Sequence, residues 1–318
     1  FIASAFSTDE TVNYDIQGQY WLSETGLGYE DEQGLERGIG TYIEHARNHL
    51  EASIFNFEHK GYKTLESGKL SWGAKIQGEL IYDKVNEWKM VDSAGYTIPS
   101  SLGIVGVYDS VVAPSLQNTF KSNNDMTSTR LTAYLQRDWN KTTSWGRWFA
   151  NVGARVMYWS FNNEVFFSPR AGISFSPAKN PNLLFRLAGG IYAQSPFYKE
   201  LRNEQGEINP DIRSQKSWHT VLSSDWTFEM LDRPFKLMTS VYYKYLWDLI
   251  PYRVDNVQLR YSAQNNSVGY ACGTDIRLYG EFIKGIDSWI TLSLMKTEED
   301  IEGDGAGYIP RPTDQLYN

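Results

Sequence analysis

Two histidines four residues apart, His45 and His49, are the first residues whose spacing could support metal chemistry. On a helix, such a pair binds zinc in metalloproteases when a glutamate follows the first histidine, but Ala46 stands at that position. On a strand, the same spacing only places both imidazoles on one face together with Glu51. We therefore predict polar wall residues here, with no metal and no cofactor.

A second candidate metal site is the acidic stretch Asp300, Glu302 and Asp304, followed by Gly305. Its acids occupy positions 1, 3 and 5 of a calcium-loop pattern, and a glycine follows at position 6. The twelfth position is Arg311, where such loops carry a bidentate glutamate. The stretch stays a candidate calcium loop, and a solvated acidic turn is the alternative.

Residue patterns for catalysis are missing from the sequence. It contains neither a Gly-x-Ser-x-Gly elbow nor a phosphate-binding Walker loop, and no pair of acids stands out as general acid and base. Cys272 is the single cysteine, so it forms no intramolecular disulfide, and its position on an apolar strand face indicates a small hydrophobe. Net charge is -8, which argues against nucleic acid as a partner. We predict no enzyme and no catalytic residue.

The elements that must position the remaining polar residues are strands. Apolar and polar side chains alternate with period two, which predicts about eleven strands. Their predicted bounds are 1–9, 39–58, 68–88, 125–138, 147–161, 165–177, 182–194, 215–230, 235–250, 268–282 and 288–299.

The gaps between these strands alternate in length. Long gaps are predicted at 10–38, 89–124, 195–214 and 251–267, and short gaps at 59–67, 139–146, 178–181, 231–234 and 283–287. The tight turn 162–164 is an exception on the long side. Long loops at one end and short turns at the other are typical of an antiparallel transmembrane β-barrel. A soluble two-layer sheet also alternates, so the face pattern alone leaves both classes open.

The two faces of the predicted strands differ in chemistry. One face is apolar and is bracketed by aromatic residues such as Trp148 and Tyr158, as the two interfaces of a bilayer favour. The other face carries charged residues at mid-strand, as a water-filled lumen permits. The predicted lumen-facing residues are Lys75, Glu79, Arg155, Arg186, Asp275, Arg277 and Glu281.

The long loops mix aromatic residues with amides and charges, a composition that suits a binding vestibule. The alternative is that these side chains only pack the loops against one another. The candidate substrate-binding residues are Tyr96, Tyr108, Phe197, Tyr198, Arg202, Tyr252, Arg253 and Tyr261.

Several motifs resemble a known family through their order and spacing. They are Ser168-Pro169-Arg170-Ala171-Gly172, the run from Gly189-Gly190 to Phe197-Tyr198, Gly269-Tyr270 and Pro310-Arg311-Pro312. This succession resembles the barrel domain of TonB-dependent outer-membrane receptors, most closely those of Bacteroidetes-type bacteria.

The resemblance implies a 22-stranded barrel in the bacterial outer membrane, occluded by an N-terminal plug. Such receptors import siderophore-bound iron, cobalamin or oligosaccharides with energy relayed through TonB. The expected partners are therefore the lipid bilayer, a small-molecule or glycan ligand, the TonB complex through the plug, and a surface lipoprotein.

On this resemblance, residues 1–318 are a single region from the middle of the barrel, and we expect the plug domain and the C-terminal strands to be absent. Two alternatives remain at this point. One is a passive porin-like barrel, and the other is a soluble β-rich carbohydrate-binding protein.

Overall fold

A computed structural model of the protein describes residues 1–24, 35–91, 115–255 and 258–310. Within these ranges the chain is almost entirely β-structure. The strands in chain order are β1 (Ile2–Glu24), β2 (Leu35–Leu65), β3 (Gly68–Val91), β4 (Ser115–Thr143), β5 (Gly146–Trp159), β6 (Glu164–Pro177), β7 (Leu183–Gln194), β8 (Gln215–Met230), β9 (Arg233–Leu249), β10 (Tyr252–Asp255), β11 (Gln258–Tyr261), β12 (Ser267–Ile283) and β13 (Ile286–Ile301). A 3₁₀ turn, Tyr198–Leu201, lies in the loop between β7 and β8.

Eleven of the strands form one antiparallel sheet. Each strand pairs with the next along the chain from β1 to β9, and β12 and β13 complete the order beside β9. The other two strands, β10 and β11, form a separate hairpin between β9 and β12. This up-and-down topology confirms the predicted antiparallel barrel wall and the number of its strands.

Within the part of the chain that the structure describes, no helix is long and apolar enough to cross a bilayer.

The predicted gap 10–38 is wrong over most of its length. β1 and β2 pair continuously from Ile2↔Glu58 to Glu24↔Leu35, so the two strands extend far beyond the predicted bounds. The prediction failed because the outer-face residues Asp9, Thr11, Asn13 and Asp15 are polar, so the stretch lacks the lipid-facing apolar stripe of the other strands, and its apolar residues Val12, Tyr14 and Ile16 lie on the inner face. The predicted gap 251–267 also contains the β10–β11 hairpin rather than irregular chain.

The short turns are tighter than predicted. Backbone pairing continues to Leu65↔Gly68 and to Thr143↔Gly146, which leaves two-residue turns. Leu231 and Asp232 adopt φ of 56° and 57°, as expected for a two-residue hairpin turn whose twist matches its strands. At Gly68, with φ of 142°, an added Cβ would lie 2.0 Å from the carbonyl oxygen of Asp138.

One face of the sheet is covered by loops, and we call it the inner face; the opposite one is the outer face. Large apolar side chains on the outer face remain exposed, with Leu135 56% exposed and Leu222 55% exposed. Other exposed apolar residues of this face are Phe55, Phe57, Ile76, Leu80, Val152, Val156, Phe167, Ile173, Leu187, Val241, Ile290, Leu292 and Leu294. A continuous apolar band of this size matches a lipid-facing wall.

Aromatic residues gather at the turn end of the outer face. Trp148 stacks on Phe175 with ring centroids 4.2 Å apart, and Trp226 lies 4.5 Å from Phe228. Such amphipathic rings favour the boundary between hydrocarbon and water. The girdle therefore marks one interface of the bilayer.

Strands β1 to β4 rise well beyond the apolar band. β2 has 31 residues, whereas a membrane-crossing strand needs about 9–11. On its outer face the apolar Phe57 and Phe55 give way to Ser53, Glu51 and His49 toward the loop end. The loop end of these strands thus stands in water.

Candidate functional site

Two loops fold together over the inner face near its loop end. Their shared core contains Trp159 from β5, which is 1% exposed, and Ile212 from the loop 195–214, which is fully buried. Its other members are Met126, Leu201, Ile250 and Ala263. Burying each large apolar side chain contributes about 1.5–3 kcal/mol, so the loops pack as one unit against the wall.

Two ion pairs fasten this unit to β3. Arg202, from the loop 195–214, lies 2.5 Å from Asp83, and Arg260, from β11, lies 2.5 Å from Glu87. The carboxylates are 7% and 9% exposed and the guanidinium groups 16% and 18% exposed, so both pairs are largely shielded from water. Each loop therefore contributes one arginine to the opposite wall.

An aromatic ring lies between the two arginines. Phe120 on β4 is 4.9 Å from the guanidinium carbon of Arg260 and 5.8 Å from that of Arg202. Phe120 is also the direct cross-strand neighbour of Glu87. Cations over a ring face are attracted by its quadrupole, so Phe120 supports both loop arginines at once.

The hairpin also reaches the first two strands. Gln258 donates to Glu87 at 3.0 Å and to the hydroxyl of Tyr14 on β1, and Asn48 on β2 donates to Glu87 at 2.6 Å. Beneath these contacts is a cavity of about 310 Å³, and its lining includes Glu10, Asp83, Tyr198 and Arg202. Carboxylates, cations and an aromatic ring all face this space.

A second group of contacts holds the bases of both loops. The ammonium of Lys216 lies 2.7 Å from Asp248 and 3.2 Å from Glu164, and Arg213 lies 3.0 Å from Asp248. Asn265 donates to the carbonyls of Arg213 and Asp248. The ends of β6, β8 and β9 are thereby tied to the same loops.

The 3₁₀ turn carries a buried carboxylate. Glu200 accepts the Phe197 amide at 2.7 Å and the side chain of Gln215 at 3.0 Å. Burial raises the pKa of Glu200, and these two hydrogen bonds offset only part of the increase. Burial also raises the pKa of Tyr198 to about 12, and the nearby Asp83 carboxylate adds to the increase. Burial therefore shifts the titration of both groups toward higher pH.

The loop residues predicted to bind substrate occupy different environments. Arg202 is engaged with Asp83, while Tyr198 and Tyr261 pack against the loop core. Phe197 is 62% exposed, and the side chain of Arg253, which pairs with Glu204 at 2.9 Å, is 63% exposed. Tyr252 stacks near Tyr261, with 5.7 Å between centroids, whereas Tyr96 and Tyr108 lie outside the described residues.

Six of the seven predicted lumen-facing residues share the inner face by strand register: Lys75, Glu79, Arg155, Arg186, Asp275 and Arg277. Glu79 is bound by Arg130 at 3.1 Å and Ser128 at 2.8 Å. Glu281 follows the register irregularity at Gly280 and accepts the Gly285 amide in the turn.

The candidate metal-binding residues lie away from the loop unit. Asp300 lies near the end of β13, beside a glycine-rich turn in which Asp304 accepts the Ala306 amide at 2.9 Å. Among the residues that the structure describes, the three-residue group with converging ligand atoms is Asp9, His49 and Glu51, on the outer face. His45 lies on the same face and contacts Asp15 at 2.6 Å.

Sequence reasoning missed the carboxylates Asp83 and Glu87, which anchor the loops. Both continue the alternation that begins at Lys75 and Glu79, so period-two spacing alone could have placed them on the inner face. Ile81 and Val85 interrupt the polar series and hide this continuity. Their arginine partners could not be found by local spacing.

Comparison with known proteins bears on this architecture. A family profile described as "TonB dependent receptor-like, beta-barrel" matches residues 3–307. No protein with a curated functional description matches the chain by sequence.

Among solved structures, the chain is similar to the outer membrane transporter YddB from Escherichia coli, with 13% identity, 93% of this chain and 40% of that chain covered, and a TM-score of 0.45. It is also similar to the RagAB peptide transporter, with 11% identity, 93% and 37% covered, and a TM-score of 0.49. It is similar as well to the siderophore receptor PirA from Pseudomonas aeruginosa, with 8% identity, 95% of this chain and 60% of that chain covered, and a TM-score of 0.48.

The chain spans less than two thirds of each of these proteins. The family profile, by contrast, covers nearly all of the chain, and it describes the antiparallel wall observed here. The family is one of receptors and transporters rather than enzymes. The chain therefore belongs to the TonB-dependent receptors and forms part of a β-barrel wall in the bacterial outer membrane.

Proposed function

We propose that the protein takes up a scarce nutrient through the outer membrane, with cargo captured by the loops and import powered through TonB. This chain supplies the middle of the barrel, and the plug comes from another part of the polypeptide. The cargo classes expected from the sequence are siderophore-bound iron, cobalamin and oligosaccharide. The Bacteroidetes type and a surface lipoprotein partner remain part of this proposal.

The observation that carries the proposal is the loop unit fastened across the inner face. A passive pore needs an open path, whereas here Arg202 and Arg260 hold two loops against Asp83 and Glu87. The loop unit forms a lid over a cavity of about 310 Å³ that is partly open to solvent. A lid of this kind supports capture of a specific cargo.

The same ion pairs allow the lid to open at moderate cost. A mutation that removes one partner leaves the other charge unpaired in a shielded site, which lowers the stability of the closed loops by about 3–5 kcal/mol. When the loops lift as a unit, both charges of each pair return to water, and much of the lost attraction is recovered as hydration. A cargo that offers new contacts to the loops can therefore shift the population toward the open state.

The mechanism contains no covalent step and no catalytic residue. Exposed loop residues such as Phe197 and Arg253 make the first contact with cargo. Cargo then enters the cavity beneath the loops, and a plug moved by TonB opens the path to the periplasm. The side chains of this chain bind and orient the cargo throughout.

Growth of the native host on a limiting nutrient tests the proposal. The full-length gene is deleted and restored in backgrounds with and without TonB, and uptake of iron-siderophore, cobalamin and oligosaccharide panels is measured. We expect restored uptake of one panel only when TonB is present. Uptake that persists without TonB would instead support a passive porin-like barrel. Extraction of the native protein without detergent would support the soluble carbohydrate-binding alternative.

A further inference from the structure

A row of basic side chains crosses the inner face below the loop unit. The register aligns Arg170 on β6 with Gly190 on β7, Gly190 with His219 on β8, and His219 with Lys244 on β9. Neighbouring strands are about 4.8 Å apart, so the row spans roughly 14 Å. Arg155 on β5 lies one inward-facing position closer to the loop end. We call Arg155, Arg170, His219 and Lys244 the basic row.

Three members of this region form a stack over a glycine. The guanidinium carbon of Arg170 lies 4.9 Å from the ring centroid of Tyr192, and that ring lies 4.6 Å from the imidazole of His219. Gly190 lies between them in the register, where an added Cβ would come within 2.8 Å of the Cβ of Arg170. The glycine therefore leaves the room in which cation, phenol and imidazole lie side by side.

The basic row differs in its lack of carboxylate partners from the arginines that hold the loop unit and the acids of the inner face, whereas Lys75 contacts Gln77 and Arg277 lies over Trp289. Arg130, Arg186, Arg202 and Arg260 each lie within 3.1 Å of an aspartate or glutamate. Within the described ranges, no ion pair involves Arg155, Arg170 or Lys244, and the buried Nε of Arg170 has no hydrogen-bond partner.

Register also keeps the nearest acids of the same strands and their neighbours at a distance. Asp248 lies four residues from Lys244 along β9, which corresponds to about 13 Å, and it already binds Lys216. Asp275 pairs by register with Ser240, also four residues from Lys244. The cations of the row thus face the lumen with hydrogen-bond donors available.

Open space adjoins the row. A cavity of about 330 Å³ lies at the loop side of the stack, and its lining combines polar and apolar residues: Tyr192, Ala193, Gln194, Gln215, Lys216, Ser217, His219, Leu246 and Leu249. Amide, hydroxyl and imidazole groups therefore adjoin the cations beside an apolar surface formed by the two leucines. A ligand of moderate size that combines anionic groups with an apolar part fits the volume and the chemistry of this lining.

We propose that the basic row binds the carboxylate groups of an anionic small-molecule cargo beneath the loop unit. Arg170 supplies a planar donor fork suited to a carboxylate, and Lys244 supplies a second point charge on the far side of His219. The inference rests on the proposed transport function, because it assigns an anionic class to the cargo. Acidic side chains from another part of the polypeptide carry the same chemistry, and the experiment separates the two sources.

The test uses the full-length protein purified in detergent and the tricarboxylate tricarballylate, which carries three carboxylates. Calorimetric titration measures its binding to the wild type and to the double variant Arg170→Gln/Lys244→Gln. The matched control is Lys84→Gln/Lys121→Gln, which removes two exposed cations from neighbouring strands on the outer face. The uncharged trimethyl ester of the ligand is the second control.

We expect binding to the wild type and the control, roughly tenfold weaker binding for each row cation removed, and no binding of the ester. Equal affinity of the row variant and the wild type would overturn the proposal. A second result would also overturn the proposal: the wild type does not bind tricarballylate, and the row variant without ligand melts at a lower temperature than the wild type. The basic row would then bind an acidic segment of the polypeptide instead of a cargo.

Binding in detergent is independent of energised uptake. Intact TonB-dependent growth with no tricarballylate binding refutes the basic-row inference alone. Row-dependent binding without TonB-dependent uptake refutes the proposed transport function alone.

Discussion

Replacing Asp83 by asparagine leaves the guanidinium of Arg202 in a shielded site without its counter-charge. The pair is 2.5 Å long, and its side chains are 7% and 16% exposed, so solvent replaces little of the lost attraction. Breaking a pair buried to this degree costs about 3–5 kcal/mol. Each 1.4 kcal/mol corresponds to about tenfold in an equilibrium constant, so local opening of the loop 195–214 should rise roughly a hundredfold to several thousandfold.

Hydrogen exchange of the 195–214 amides in the full-length protein measures this opening. The double variant Asp83→Asn/Arg202→Gln removes both charges and keeps a neutral hydrogen bond, so we expect exchange within about tenfold of the wild type. Asp138→Asn is the matched control, since Asp138 accepts a hydrogen bond from Gln136 on the inner face far from the loops. If the double variant opens as readily as Asp83→Asn, the two side chains are not coupled and the lid argument fails.

Three further predictions address pH, backbone and bilayer. Burial raises the pKa of Glu200 above its ordinary 4.5, so the stability that its protonation gives the loop is full below about pH 4.5 and is lost as pH rises through the raised pKa. Hydrogen exchange of the 195–214 amides, corrected for intrinsic rates, should show this pH dependence in the wild type and not in Glu200→Gln. Gly68→Ala should lower the stability of the protein by about 1–3 kcal/mol in thermal unfolding, because φ is 142° and the new Cβ meets the backbone of Asp138 on β4. Gly78→Ala, whose new Cβ meets nothing within 4 Å, should not lower it. Leu135→Arg should cost about 2–4 kcal/mol in the apolar band and reduce the amount of folded barrel in outer-membrane fractions. Asn123→Arg, on the same face beside Lys84 and beyond the band, should have little effect, and equal yields of the two variants would contradict the lipid-facing assignment.

The sheet could be predicted from the sequence because one face of each membrane-crossing strand is apolar. Leu183, Phe185 and Leu187 alternate with Arg186, and this local pattern fixes strand, face and approximate bounds together. The same rule failed for β1 because Asp9 and Glu10 are both polar. Above the bilayer water contacts the outer face, so no apolar stripe is needed there.

The anchoring of the loops could not be predicted, because its contacts join distant parts of the chain. Arg202 binds a residue 119 positions away, and Arg260 binds one 173 positions away. Neither arginine has a local feature that distinguishes it from Arg253, whose partner Glu204 lies at the exposed surface. The loop core of Ile212 and Trp159 packs the two loops over the inner face, and this tertiary contact cannot be read from local spacing.

The unequal strand lengths have a consequence for how cargo approaches. β2 has 31 residues and β7 has 12, a difference of roughly 60 Å along the strand direction. In the part of the wall that the structure describes, the height of the rim is therefore uneven: the strands β1–β4 are long and the strands β5–β9 are short. On the proposed transport route, a bulky ligand that comes over the short strands meets the charged loop bases at Lys216, Asp248 and Glu164 before it reaches the basic row beneath them.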